Sequence, residues 1–280
     1  MNLMKHRKII LEFKTPAGDK QLDGIEVKFS VEKLMSAVMN KADIEICNLA
    51  QEDIEYLTTY TSQFIAIGQR KRVRIWAGYE EDGVSLIFDG DIVEGMPESP
   101  PDRWIRCKAL SGYYSNKEVV SKTLNGDLPV RDVCEQASGI LGLPLVFESD
   151  ITKKISDFSF TGDKTKILKD LNELGGITAY EDDGTLFVVN KDKPRTSIDV
   201  RYISETSGLI GIPKPDPLGV ECTIFLDNSL KIGQRIYLES KIFPSASGEY
   251  FIYQLKHTGD LRGTEFYTTL KARRFNSVAT

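Results

Sequence analysis

Apolar and polar residues alternate without interruption from 25 to 31: Ile25, Val27, Phe29 and Val31 point one way, Glu26, Lys28 and Ser30 the other. A period of two is the mark of a half-buried β-strand. Val31, Leu34, Met35 and Val38 also fit one face of a short helix, so the pattern leaves the end of this strand open. Alternation restarts at Ile44 and Ile46, and the stretch 51–60 suits one short helix. Val73, Ile75 and Ala77 then alternate with Arg72, Arg74 and Trp76, and a further strand over 84–93 is expected to break at Gly90. A loop rich in Pro and Ser (95–102) leads to a strand over 104–110.

From about Gly112 the period changes. Val130, Val133, Cys134, Ala137, Ile140 and Leu141 form a helical stripe that stops at Gly142, with Pro129 suited to a first helical turn. Ile167, Leu168, Leu171 and Leu174 define a second helix, ended by Gly175-Gly176. Residues 177–180 and 185–189 flank Asp182-Asp183-Gly184 and read as a hairpin. The segment 208–219, with three prolines and three glycines, reads as a crossing loop. Four strands follow, over 220–226, 235–240, 250–256 and 265–272. The predicted fold is therefore mainly β with an α+β insertion: β-barrel-like units at 1–110 and 201–280 flank a small α+β unit at 111–200.

Two stretches 165 residues apart resemble each other. GQRKRVRIWAGYEEDGVSLIF begins at Gly68 and GQRIYLESKIFPSASGEYFIY at Gly233, each with a second glycine 15 positions on (Gly83, Gly248). Self-similarity of this kind marks a duplicated structural unit. Duplicated sheets with polar faces expose edges that need a partner, and closure into a ring supplies one.

The chain of 280 residues is long enough for two or three cores. A net charge of -5 argues against a protein that coats DNA. No apolar run is long enough to span a bilayer, and no signal-peptide core follows Lys5, Arg7 and Lys8. Cys47, Cys107, Cys134 and Cys222 lack metal-knuckle or redox spacing and read as small buried hydrophobes of a reducing cytosol. With only His6 and His257, a structural zinc site or two-histidine clamp is nearly excluded. The acidic clusters Glu80-Glu81-Asp82 and Glu181-Asp182-Asp183 sit at hairpin tips, where acidic turn residues are expected, rather than as a glycosidase pair. His257 has no nucleophile motif beside it and reads as a hydrogen-bonding strand or turn residue. Arg70-Lys71-Arg72-x-Arg74 is split over both faces of one strand, which favours a solvated strand or subunit contact over phosphate readout. No catalytic, cofactor-binding or metal site is assigned.

The order of several segments resembles a known family. Asn48-Leu49, Ala77-Gly78-Tyr79 and LIFDGDI (86–92) look like the N-terminal tube domain of baseplate hub proteins from contractile-tailed bacteriophages. Gly211-Ile212-Pro213, KIGQRIYLES and the stretch His257-x-Gly259-Asp260-x-x-Gly263 resemble the second tube domain of that family, and 111–200 its small α/β domain. The resemblance implies a non-enzymatic homotrimer with a pseudo-sixfold ring. Such a hub joins a hexameric tail tube or distal tail proteins to a trimeric central spike, with a tape-measure protein as a further partner. Genomic DNA would pass the lumen without specific binding, and an acidic inner wall would suit that passage. No cofactor and no membrane insertion are implied, and the location is the virion tail baseplate, assembled in the host cytoplasm. The other classes are a tail-associated peptidoglycan hydrolase, a single-stranded nucleic-acid-binding barrel, and the hub of a contractile injection system outside phages.

Overall fold

A computed structural model describes residues 5–15, 18–58, 71–99, 102–116 and 118–275. Gly68, Gln69 and Arg70 of the first repeat, Thr59 and Tyr60 of the predicted helix, Pro100 and Pro101 of the predicted loop, and the side chain of Leu174 lie outside the described residues.

The N-terminal part folds as β1 (Arg7–Thr15), β2 (Gly18–Asp23), β3 (Val27–Leu34), β4 (Lys41–Cys47), α1 (Gln51–Leu57), β5 (Arg72–Tyr79), β6 (Gly83–Pro97) and β7 (Trp104–Leu110). The period-two segments become strands with alternating burial, as in β3, where Val27, Phe29, Val31 and Lys33 are all buried. The helical option beyond Val31 is not taken. Two expectations change here. β6 does not break at Gly90 but runs on to Pro97, pairing first with β5 and then with β7, with one bulged residue at Val93. Gly90 is needed because a Cβ there would collide with the Phe88 ring and the Leu110 carbonyl.

The middle part holds α2 (Tyr113–Asn116), β8 (Val120–Pro129), α3 (Val130–Leu141), β9 (Leu145–Glu148), β10 (Lys154–Gly162), α4 (Lys164–Gly175), β11 (Ile177–Asp182) and β12 (Thr185–Asn190). Helix α3 buries Val130, Val133, Cys134 and Ala137 and ends on Gly142 at φ 63. Pro129 is its N-cap rather than its first turn. Asp163 caps α4 by accepting from the Lys166 N–H at 2.8 Å. The β11–β12 turn is shorter than predicted: Asp183 (φ 48) and Gly184 (φ 75) form it alone, which selects a type I′ hairpin.

The C-terminal part comprises β13 (Arg201–Ile203), β14 (Leu209–Asp216), β15 (Gly219–Phe225), β16 (Arg235–Leu238), β17 (Gly248–Asp260) and β18 (Phe266–Arg274). The predicted crossing loop at 208–219 is instead strand β14 and its turn into β15. Its prolines are tolerated because β14 is the last strand of the sheet and only β15 pairs with it.

Thirteen strands make one sheet, ordered β14-β15-β18-β17-β3-β4-β7-β6-β5-β1-β2, with β16 on β17 and β13 on β16. Among the described residues no closed barrel forms: the ladder stays open from β14 to β2, because β3 docks on β17 instead of returning within its own unit. Three hydrophobic clusters line the buried side, and they interlock. Leu226 and Phe266 pack in the N-terminal cluster, Ala37 in the middle one, and Tyr180 in the C-terminal one.

The duplication is visible in strand order. The path β3-β4-β7-β6-β5-β1 recurs as β14-β15-β18-β17-β16-β13. In both, the long strand carries a bulge at the equivalent place, Val93 and Tyr253. Just before it, the Ile92 N–H bonds Lys71 O (2.8 Å) as the Ile252 N–H bonds Gln234 O (3.0 Å). Aligning the glycines Gly83 and Gly248 would set Ile92 against His257, whereas the bulges set it against Ile252. The copies differ at their far ends, where β1 lies antiparallel to β5 but β13 parallel to β16.

Candidate functional surface

The residues with chemical potential are held in structural roles. His257 lies within β17, not in a turn, and is buried with its ring Nδ1 2.9 Å from Thr268 Oγ1. Burial, aided by the Lys33 charge, pushes its pKa down to about 3. A Cβ on Gly259 would run into the Phe29 ring. Asp260 Oδ1 accepts the N–H groups of Arg262 (3.0 Å) and Gly263 (2.7 Å), and Arg7 donates to the Gly263 carbonyl at 2.6 Å. The His257-to-Gly263 stretch is thus a strand end and a tied turn.

The basic stretch of β5 is neutralised across strands. Arg72 reaches Asp89 with Nε at 2.7 Å and Nη2 at 2.5 Å, and Arg74 bonds Glu12 at 2.7 Å. The tip Glu80-Glu81-Asp82 is exposed and pairs with Lys8, His6 and Lys5. All four cysteines are buried as free thiols, and burial pushes Cys107, Cys134 and Cys222 up to about 12. Among the described residues no group of His, Cys, Asp and Glu is arranged to hold a metal.

The second acidic cluster departs from the sequence reading. Glu181 and Asp182 are buried, not solvated turn residues. Lys33, on the core side of β3, bonds Asp182 at 2.8 Å and Asp183 at 2.6 Å. Burial opposes the Lys33 charge, yet the two carboxylates more than offset it and hold its pKa above the ordinary value. Asn40 donates to Asp182 at 3.3 Å, and Lys164 pairs with Glu181. Beside this, the Tyr180 hydroxyl donates to Ile232 O at 3.3 Å, and Arg195 lies 3.9 Å over the Phe187 ring while bonding Glu148. Gly233, at φ 80, fits under Tyr180 and Arg195 where a Cβ would collide with both. Gln234 bonds Lys231 N and Asp199 O. This explains the second Gly-Gln-Arg: it seats the β11–β12 hairpin. Lys33 was missed because it occupies a position that alternation assigns to an apolar residue.

The opposite, solvated side of β14-β15-β18-β17-β3-β4-β7-β6 is one continuous polar face. It presents Lys28, Lys41, Arg106, Lys108, Lys214, Lys256, Lys271 and Arg273 among carboxylates that include Glu32, Asp43, Glu45, Glu94, Glu98, Asp216, Glu221 and Asp260. Many are paired across strands: Lys41 with Glu32 (2.6 Å), Arg106 with Glu45 and Glu98 (2.9 Å each), Lys108 with Glu94 (3.0 Å), and Lys271 with Asp216 (3.3 Å). Such exposed pairs add little stability. Their effect is to leave this face few unmatched cations.

The fold is that of phage tail proteins. It is shared with the 43 kDa tail protein of prophage MuSo2 from Shewanella oneidensis (TM-score 0.66, 11% identity, covering 96% of this chain and 98% of that one). A tail protein from Neisseria meningitidis MC58 is similar at TM-score 0.63 and 10% identity, over 95% and 96% of the two chains. So is the E. coli c3393 protein, described as a component of the type VI secretion system with structural similarity to T4 bacteriophage tail proteins gp27 and gp5 (TM-score 0.59, 9% identity, 90% and 74% covered). A comparison with curated protein sequences finds no match. The chain belongs to the Baseplate hub gp41 family, whose model matches residues 9–272. It is thus a member of a family of baseplate hub proteins. No helix among the described residues is long and apolar enough to cross a membrane.

Proposed function

We propose that this chain is the non-enzymatic hub of a phage contractile tail: a homotrimer whose two β-units per chain make a pseudo-sixfold ring between tail tube and central spike. The observation that carries this reading is the repeated strand order within one sheet. β3 of the first copy docks on β17 of the second, along 254–260, just beyond the stretch where β16 pairs. The corresponding site on β6, beyond its β5 pairing, is Val93–Pro97, and among the described residues no strand pairs with the side of it that faces away from β7. The strand corresponding to β3 is β14, which ends the sheet. Placing β14 of one chain on β6 of the next repeats the internal seam between chains, and three copies close a six-station ring. We assign the units to 1–110, 111–200 and 201–280.

In that ring the charge-paired face lines the channel. DNA binding draws on free cations that replace counterions at phosphates. A wall whose cations are matched by carboxylates gives passing DNA little to hold. Imaging of the chain co-assembled with its tube and spike tests the proposal: a ring with a central hole and three copies, about 94 kDa from chains of 31.4 kDa, is expected. Two copies, or an unclosed array, would refute it. Clearing of purified bacterial cell wall by the chain alone would refute the non-enzymatic part.

A further inference from the structure

We propose that two strand edges left open among the described residues, the outer side of β14 and the side of β6 beyond its β5 pairing, are built to withhold strand pairing, so that the free chain stays single and the seam between chains closes only on a preformed neighbouring ring. This rests on the ring reading above and concerns how the ring is made.

The internal seam sets the comparison. On β17 the backbone groups of Tyr253, Leu255, His257 and Gly259 face β3; on β3 those of Phe29, Val31, Lys33 and Met35 face β17. The Met35 N–H bonds Tyr253 O at 2.9 Å, and the Leu261 N–H bonds Val27 O at 3.1 Å. Every one of these positions carries an N–H.

The open edges differ. Glu98 N–H bonds Trp104 O at 2.8 Å, so Glu98 and Met96 turn their backbone to β7, and Gly95 and Pro97 turn theirs outward. On the other edge the Arg274 N–H bonds Leu218 O, which places Gly219 and Glu221 toward β14. Their partners Asp216 and Lys214 therefore face β15, and Pro215 between them faces the open side. Proline has no N–H, so the seam-facing positions of Pro97 and Pro215 offer carbonyls and no donors. Proline on an edge strand is a device against unplanned pairing. Two missing ladder bonds weaken association by roughly thirtyfold.

What remains at the edges suits a second copy of this chain. Met96 on one side and Ile212 and Leu218 on the other are exposed apolar residues at 55%, 56% and 47%. In the register of the internal seam, where Thr258 opposes Ser30, the negative Glu98 opposes the positive Lys214 of the neighbour. Side chains complement one another while the backbone is withheld.

Native mass spectrometry of the purified chain at about 10 µM should give single chains of 31.4 kDa. Pro215→Val, and separately Pro97→Val, should shift the mass toward multiples, each tightening association at least about fivefold, as expected for one restored bond. Circular dichroism confirms that each variant is folded, and the two variants lie on different edges. A wild-type chain that is already trimeric alone, or two folded variants no more associated than wild type, would overturn the inference. To separate it from the ring reading, Glu98→Cys with Lys214→Cys is tested in assembled tails; the native cysteines are buried and do not compete. A disulfide between chains there is expected. Its absence overturns the seam itself, whereas its presence together with a free wild-type trimer overturns only the withheld pairing.

Discussion

Replacing His257 with Gln should remove a specific acid sensitivity from the fold. His257 is buried beside Thr268, and its pKa is pushed down to about 3 from the ordinary value of about 6.5. A depressed folded-state pKa contributes stability that is fully present above the unfolded pKa. That stability is lost as pH falls toward the folded one, because the unfolded chain takes up a proton the native state refuses. Between pH 7.5 and pH 5.5 the wild type should lose about 1.4 kcal/mol from this residue alone. The window is chosen with care. Glu148 is held down to about 2 because hydrogen bonds from Ser197, Thr196 and Arg195 outweigh its burial, and its contribution is lost only below the ordinary carboxylate range. His6 is exposed, and its bond to Glu81 raises its pKa, so its effect has the opposite sign. Asp183, raised by burial, likewise acts in the opposite sense, and wild type and variant share both. Urea denaturation of His257→Gln at the two pH values should therefore show a flat or slightly rising stability. Equal losses in wild type and variant would refute the assignment of the acid sensitivity to this side chain.

Lys33→Met leaves the buried Asp182 without its cation and should cost about 3–5 kcal/mol in urea unfolding at pH 7; a cost below about 1 kcal/mol would show that water reaches the site. Gly259→Ala should cost about 1–3 kcal/mol by driving a methyl into Phe29. Gly139→Ala, inside α3 with nothing within 4 Å, should instead add about 0.5–1 kcal/mol, both read by thermal midpoint. Exchanging Glu32, Glu45 and Glu94 together for Gln frees Lys41 and Lys108 and leaves Arg106 only Glu98. Fluorescence anisotropy should then detect duplex DNA binding at 50 mM salt that vanishes by about 200 mM, with none for wild type.

Strand pattern was legible wherever one face is buried and the other wet. β3, β5 and β7 follow the alternation of their residues, and α3 and α4 follow theirs. Other strands were not legible. β8 is mostly exposed, and in its partner β10 a bulge at Asp157 interrupts the alternation of the buried Ile155, Phe158 and Phe160, so no period stands out. β14 was hidden by its prolines, which deny a strand by local rules and are allowed only because one edge is empty. The duplication itself was legible, but its alignment was not. Extra residues in the β5–β6 hairpin, including a bulge between Ile75 and Trp76, slide the glycines out of equivalence. The charged clamp was invisible for a different reason: Lys33, Asp182 and Lys164 lie far apart in sequence and meet only in the fold.

The clamp and the internal seam bear on the same requirement. If each chain supplies two adjacent stations of a ring, the rotation between its β-units must equal the rotation between chains. The chain fixes that rotation three times: by the β17–β3 ladder, by Leu226 and Phe266 packing in the N-terminal cluster, and by the β11–β12 hairpin wedged against both units. The hairpin reaches Lys33 of one unit with Asp182, and Ile232 of the other with Tyr180. Breaking a buried ion pair is costly, so this wedge resists small angular drift better than a solvated contact would. Half the seams of the proposed ring are thus made during folding, in the correct geometry. The three between chains need only recognise a matching edge, and weak, donor-poor edges suffice for that once a neighbouring ring holds the copies together.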